Sequence, residues 1–165
     1  MKSYKLPILG IGLMLLMASC KKEDVRQPIS KDSTSGASSK TQWSSLSAWG
    51  NSTTENATTY FSKLTDSSIT SEVVNNGLVL VYKKSGSDIQ LLPFQEKDSK
   101  TYWYYQVAKG SIRINSDNND GQNLAASTFT YFVVTPQQLS NLEAKGKTKF
   151  DLLQLSLDDA TSLLK

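Results

Sequence analysis

The sequence predicts an all-β fold, an antiparallel β-sandwich of about seven strands with a short C-terminal helix. Short apolar runs recur at regular intervals from Thr41 onward, and clusters of Gly, Asn, Asp and Ser separate them. This spacing is typical of antiparallel strands joined by turns. The chain has 165 residues, of which 38% are hydrophobic. That is enough for one domain to bury a core without disulfides.

Composition excludes several kinds of chemistry. The chain contains no histidine and one cysteine. It therefore has no Ser-His-Asp or Cys-His catalytic site, no histidine-ligated metal, no zinc ribbon and no internal disulfide. The formal net charge of +3 is too small to indicate a nucleic-acid-binding protein.

The first residues resemble an export signal. Lys2 and Lys5 precede the apolar stretch 6–17, which is too short to cross a bilayer as a helix. The small residues Ala18 and Ser19 follow it. We therefore expect residues 1–19 to be a signal peptide.

Leu16-Met17-Ala18-Ser19-Cys20 resembles a bacterial lipobox, although Met17 stands where Leu, Val or Ile is more usual. The resemblance implies cleavage before Cys20, a diacylglyceryl thioether on its sulfur and an acyl chain such as palmitate on its amino group. Several acyl chains on one residue would anchor the protein stably in the outer membrane. The alternative is an ordinary signal peptide with an incidental cysteine.

Two segments follow the anchor. The charged residues 21–24 resemble the surface-export signals of Bacteroidota lipoproteins, although a solvated spacer is an equal alternative. Residues 30–40 are rich in Ser and Thr and contain nothing more apolar than Ala37. Such a stretch cannot bury enough surface to offset its ordering entropy. We predict a lipidated, flexible tether at 20–40 and the sandwich at 41–165.

The strands are predicted from their apolar runs and turn residues. They are 41–49, 58–64, 77–84, 88–94, 101–107, 111–116 and 126–134. The segment Ser85–Ser87 is a hairpin signal. Asn75–Gly77 is predicted to close a single helical turn at 70–74. Pro93 cannot donate to a ladder, so residues 88–94 form an edge strand or end at that position.

Two features predict a covering layer. Residues 77–82 are apolar without alternation, which indicates a strand buried on both faces. Ser156–Asp159 is a capping-box pattern, and Leu157, Ala160 and Leu164 then share one helical face. We expect this terminal helix to cover the second face of the strand.

The order of these blocks resembles a domain found in uncharacterised Bacteroidota lipoproteins, where it often follows a collagen-like repeat. The resemblance spans residues 43–160 and rests on five blocks: 69–70, 76–82, 92–94, 110–114 and 129–134. This chain has the Ser-rich tether in place of the repeat. The resemblance implies a shared fold and an envelope location, but no activity or catalytic residue.

The segment 102–107 is the best candidate for a binding surface. Alternation places Trp103 and Tyr105 on one face, and Tyr102 and Tyr104 on the other. In the next strand, Ile112 and Ile114 should point inward. A two-residue turn keeps the apolar sides together, whereas a one-residue slip would bury Arg113. The predicted outward patch consists of Tyr102, Tyr104, Arg113 and Asn115.

Aromatic rings beside hydrogen-bonding groups can bind sugars or a peptide, and Arg beside Tyr adds cation–π attraction. The alternatives are that the terminal helix or a loop covers the tyrosines, or that they are cross-strand pairs that stabilise the sheet.

The other polar clusters are weaker candidates for a functional site. Ser116–Gly121 is rich in oxygen ligands, but an EF-hand loop would need Glu where Ser127 stands, so a polar hairpin loop is favoured. The carboxylate pairs Asp117/Asp120 and Asp158/Asp159 fall in a turn and at a helix cap. We expect no enzymatic activity, no cofactor and no metal site.

The sequence therefore predicts a lipid-anchored outer-membrane protein, at the cell surface or facing the periplasm. We expect a non-catalytic module that binds a glycan or a peptide. The alternatives are a structural envelope protein with a protein partner, and a histidine-free hydrolase.

Overall fold

The computed structural model describes residues 38–54, 57–117, 124 and 127–164. The predicted signal peptide, Cys20 and most of the predicted tether lie outside the described residues. No helix in the described part of the chain is long and apolar enough to cross a membrane.

The described residues form nine strands in two antiparallel sheets, which confirms the predicted all-β sandwich. Sheet A has the order β1-β9-β4-β5, and sheet B has the order β2-β3-β8-β7-β6. The strands are β1 (Ser38–Ser45), β2 (Gly50–Thr54), β3 (Ala57–Thr65), β4 (Leu78–Ser85), β5 (Asp88–Leu91), β6 (Phe94–Gln95), β7 (Tyr102–Ala108), β8 (Ser111–Asp117) and β9 (Thr128–Val134).

Four helices accompany the sheets in the described part of the chain. They are α1 (Ser71–Asn76), α2 (Pro136–Ala144), α3 (Lys149–Leu152) and α4 (Leu157–Leu164). The sequence predicted α1 and α4 but neither of the two helices between β9 and α4. Thr135 begins α2 with a capping box, since its side chain accepts from Gln138 N and the Gln138 side chain accepts from Thr135 N.

Several strand boundaries differ from the prediction. β1 begins at Ser38 and ends at Ser45, and β2 was not predicted at all. The predicted strand 88–94 is interrupted at Leu92–Pro93, where the chain passes from β5, at one edge of sheet A, to β6, at one edge of sheet B. The prediction that Pro93 marks an edge or an end is therefore confirmed.

The first core lies between the sheets. It contains Val79, Val81, Phe129, Tyr131 and Val133 from sheet A, and Trp103, Ile112 and Ile114 from sheet B. The Tyr105 hydroxyl also crosses this layer and donates to Val79 O at 2.6 Å. Burial raises the pKa of Tyr105, so this hydroxyl keeps its proton to higher pH than a free tyrosine.

The second core lies on the other face of sheet A, beneath the helices. Leu80, Tyr82, Phe132 and Val134 of the sheet pack there against Leu139, Leu142, Leu152, Ala160 and Leu164 of α2, α3 and α4. The continuous apolar run in β4 is thus buried on both faces, as predicted. The prediction that the terminal helix covers this strand is also confirmed.

Candidate functional site on the outer face of sheet B

The β7–β8 hairpin brings the predicted patch together. Tyr104 lies opposite Asn115 and Tyr102 opposite Asp117, and the strands are joined by the two-residue turn Lys109–Gly110. Gly110 has φ of +74°, a conformation that suits glycine. The predicted two-residue turn is confirmed, and with it the outward direction of all four patch residues. They are Tyr102, Tyr104, Arg113 and Asn115.

Tyr102 and Tyr104 form a stacked aromatic pair along β7. Their ring centroids are 5.6 Å apart and their planes differ by 24°. Tyr102 is 42% exposed, and Tyr104 is half-buried. Helix α4 packs on sheet A, on the opposite side of the sandwich. The alternative that the terminal helix covers these tyrosines is therefore wrong.

Asn115 points outward as predicted, but it is only 2% exposed. Its cross-strand partners are Tyr104 on one side and Phe61 on the other, and these larger side chains enclose it. Asn115 Nδ2 donates to Arg113 O at 3.3 Å. Asn115 therefore lies beneath the exposed surface, and a ligand would contact Tyr104 and Phe61 before it.

Arg113 is held against an aromatic ring that the sequence reasoning missed. Its guanidinium carbon lies 3.9 Å from the centroid of the Phe61 ring, a close cation–π contact. Phe61 in turn lies opposite Gly50 of β2. A Cβ atom at Gly50 would approach Phe61 Cζ to 2.8 Å, so glycine makes room for the ring.

One sequence signal could have found Phe61. In the predicted strand 58–64, alternation places Tyr60 and Leu64 on the core side. Phe61 then falls on the polar side with Lys63. An aromatic residue on the solvent side of a strand is a reason to examine it for a surface role.

The charges on this face are unevenly placed. Lys63 lies directly opposite Arg113, and both are exposed. Among the described residues the structure shows one salt bridge, between Lys83 and Glu96, so neither cation has a carboxylate partner there. Asp117 lies farther along β8, where it accepts from Thr59 Oγ1 at 2.7 Å. The face thus has a basic end and an acidic end, with Phe61 and Tyr104 between them and Tyr102 opposite Asp117 at the acidic end.

The other polar clusters form no comparable surface. Ser156 Oγ accepts from Asp159 N at 3.1 Å and donates to Asp159 Oδ2 at 2.6 Å, so the Asp158/Asp159 pair belongs to the N-terminus of α4 as predicted. Ser116 and Asp117 lie in β8, whereas Asn118–Gly121, including Asp120, fall outside the described residues. Within the described ranges, no three His, Cys, Asp or Glu side chains are grouped to hold a metal ion.

No protein-family model, curated protein or solved structure matches this chain. The resemblance to the Bacteroidota lipoprotein domain therefore stays a prediction.

Proposed function

We propose that the protein is a non-catalytic binding module that holds a glycan or a peptide on the outer face of sheet B. The lipid on Cys20 would anchor it to the outer membrane, with the sandwich at the cell surface. The observation that carries the proposal is the Tyr102–Tyr104 stack, with Tyr102 exposed, beside the Arg113–Phe61 pair on the face that α2, α3 and α4 leave open.

The chemistry of this face suits binding. Aromatic rings offer apolar area at little entropic cost, and tyrosine hydroxyls and arginine N–H groups add directional hydrogen bonds. The stack is already formed, so little side-chain freedom remains to be lost when a ligand arrives. The Asp158/Asp159 pair, which the structure describes, caps α4 and does not form the two facing acids that a histidine-free glycosidase needs.

The direct test is a binding screen on immobilised glycans and peptides with three proteins: the native chain, Tyr104→Ala and Phe150→Ala. Phe150 is the control, because it is an aromatic residue on α3 that is 70% exposed. We expect Tyr104→Ala to abolish binding and to leave the melting temperature within a few degrees. Phe150→Ala should change neither. A steep fall in melting temperature with binding intact would show that the tyrosine pair is packing.

Location is tested by adding an external protease to intact cells and following the domain by immunoblot, with lysed cells as control. Digestion in intact cells is expected. Protection until lysis would place the domain in the periplasm, and the protein would then be examined as a structural envelope component with a protein partner.

A further inference from the structure

We propose that the ligand of this face is an anionic glycan whose carboxylates are bound by Lys63 and Arg113 while its sugar rings contact Tyr102 and Tyr104. The inference rests on the proposed binding function and deepens it by naming the class of ligand.

Two cations are paired on this face. Lys63 and Arg113 are direct cross-strand partners on the same face of an antiparallel pair. Like charges in this position destabilise a sheet. No carboxylate among the described residues forms an ion pair with either of them. A bound anion would relieve this repulsion, so the arrangement favours a negatively charged ligand.

Arg113 is oriented before a ligand binds. Its guanidinium lies over the Phe61 ring at 3.9 Å, and Gly50 leaves the space that the ring occupies. Stacking engages the flat face of a guanidinium and leaves its N–H edges to bind a carboxylate with two parallel hydrogen bonds. Arg113 is exposed, so such an anion can reach it from solvent.

Arg113 also lies close to the tyrosines. Arg113 lies opposite Gln106, and Tyr104 lies opposite Asn115, so Arg113 and Tyr104 are diagonal neighbours on one face. Cα atoms in such a pair are roughly 7–8 Å apart. A sugar ring on Tyr104 can therefore direct a carboxylate substituent to Arg113.

The strand order favours a glycan over an extended peptide. β8 is the central strand of sheet B, and β7 pairs with both β8 and β6. Peptides that add to a sheet need an open edge with free backbone groups. The candidate face presents only side chains, and these are aromatic rings and hydrogen-bonding groups that suit sugar rings and hydroxyls.

The test measures binding of the full chain, purified in detergent, to four soluble polymers. These are polygalacturonate, its fully methyl-esterified form, dextran sulfate and poly-L-glutamate. The native chain is compared with Lys63→Gln, Arg113→Gln and Lys145→Gln, where Lys145 is an exposed lysine at the end of α2. Affinity is measured at low and high salt.

We expect polygalacturonate to bind at least about tenfold more tightly than the methyl ester, since hydrogen bonds to a charged group are stronger than those to a neutral one. Arg113→Gln and Lys63→Gln should each lose most of this preference. Lys145→Gln should retain it. High salt should weaken binding of the native chain and affect Arg113→Gln less.

Four results would overturn the inference. Equal binding of the methyl ester would show that the face selects neutral sugars. Tighter binding of poly-L-glutamate would show that the ligand is a peptide. The proposed binding function survives both results. Binding of dextran sulfate without polygalacturonate would reject the carboxylate. If no polymer binds, the anionic-glycan inference fails. The binding screen on immobilised glycans and peptides, with Tyr104→Ala, then tests the proposed function separately.

Discussion

The ammonium of Lys83 lies 2.7 Å from Glu96 Oε1 and 4.5 Å from the centre of the Trp103 ring, although Lys83 is only 3% exposed. Trp103 Nε1 donates to the same carboxylate oxygen at 3.0 Å. Lys83 follows Val79 and Val81 in the inward row of β4. The pair therefore joins sheet A to the segment after β6 at the point where the apolar core ends.

Loss of the Glu96 charge should destabilise the fold more than loss of the Lys83 charge. Glu96→Gln leaves a buried ammonium without a counter-charge. We expect it to lower the free energy of unfolding by about 3 kcal/mol, the low end of the range for removing one partner of a buried ion pair. Glu96 is 31% exposed and can turn toward water in Lys83→Met, which should cost less. Urea unfolding of both variants and of the double variant Lys83→Met/Glu96→Gln measures the difference. Equal costs for the two single variants would contradict this account.

Stability should rise with pH through the acidic range because of Glu96. Partial burial would raise its pKa, but hydrogen bonds from Lys83, Ser99 and Trp103 and the Lys83 charge outweigh this and lower it from 4.5. The unfolded chain then binds more protons, so this contribution is complete above the unfolded pKa and is lost as pH falls through the folded pKa. Urea midpoints measured from about pH 3 to about pH 6 should fall more steeply toward acid for the native chain than for Glu96→Gln. If the midpoints of the two proteins change in parallel with pH, Glu96 does not cause the loss of stability toward acid.

Removal of the Tyr105 hydroxyl should weaken the contact between the sheets. Tyr105→Phe loses the bond to Val79 O at 2.6 Å, and we expect a loss of about 1 kcal/mol in the free energy of unfolding. Tyr102→Phe is the matched control, because Tyr102 lies on the same strand but on the exposed face. Thermal unfolding of both variants gives the comparison. A control that loses as much stability as Tyr105→Phe would show a general effect of removing a tyrosine hydroxyl.

Alanine at two glycines should have different effects. At Gly50 the new Cβ would lie 2.8 Å from Phe61 Cζ, the far end of a side chain that can swing aside. We expect a small loss of stability, about 1 kcal/mol, with displacement of the ring that supports Arg113 and weaker ligand binding. At Gly77 the Cβ would lie 2.6 Å from Val134 O, which is backbone, so Gly77→Ala should cost about 2 kcal/mol or more. Denaturant unfolding and the binding screen together check both variants.

The period-two alternation predicted much of the site. It placed Tyr102, Tyr104 and Arg113 outward, and the two-residue turn fixed their register. It could not predict that Asn115 is enclosed, because that depends on the size of Phe61 on a strand distant in sequence. Phe61 itself was missed because only the apolar side of its strand was followed.

Elements without apolar periodicity were missed because strands and helices were predicted from their apolar residues. β2 has the sequence Gly-Asn-Ser-Thr-Thr and forms through its pairing with β3 rather than through burial. α2 buries only Leu139 and Leu142, and its clearest signal is the capping box at Thr135. The predicted strand 77–84 included Lys83, but nothing in the sequence pattern indicated that its side chain is buried beside Glu96.

The helix layer covers one face of sheet A, and as a result the two sheets differ in how well they tolerate mutation. Sheet A has both faces in a core, so a change at almost any position of β4 or β9 disturbs packing. In β7 and β8 the core uses every second residue, and the residues between them, including Tyr102, Tyr104 and Arg113, point away from it. The exposed positions among them can diversify without loss of the scaffold, so one architecture can acquire different specificities by substitution on a single face.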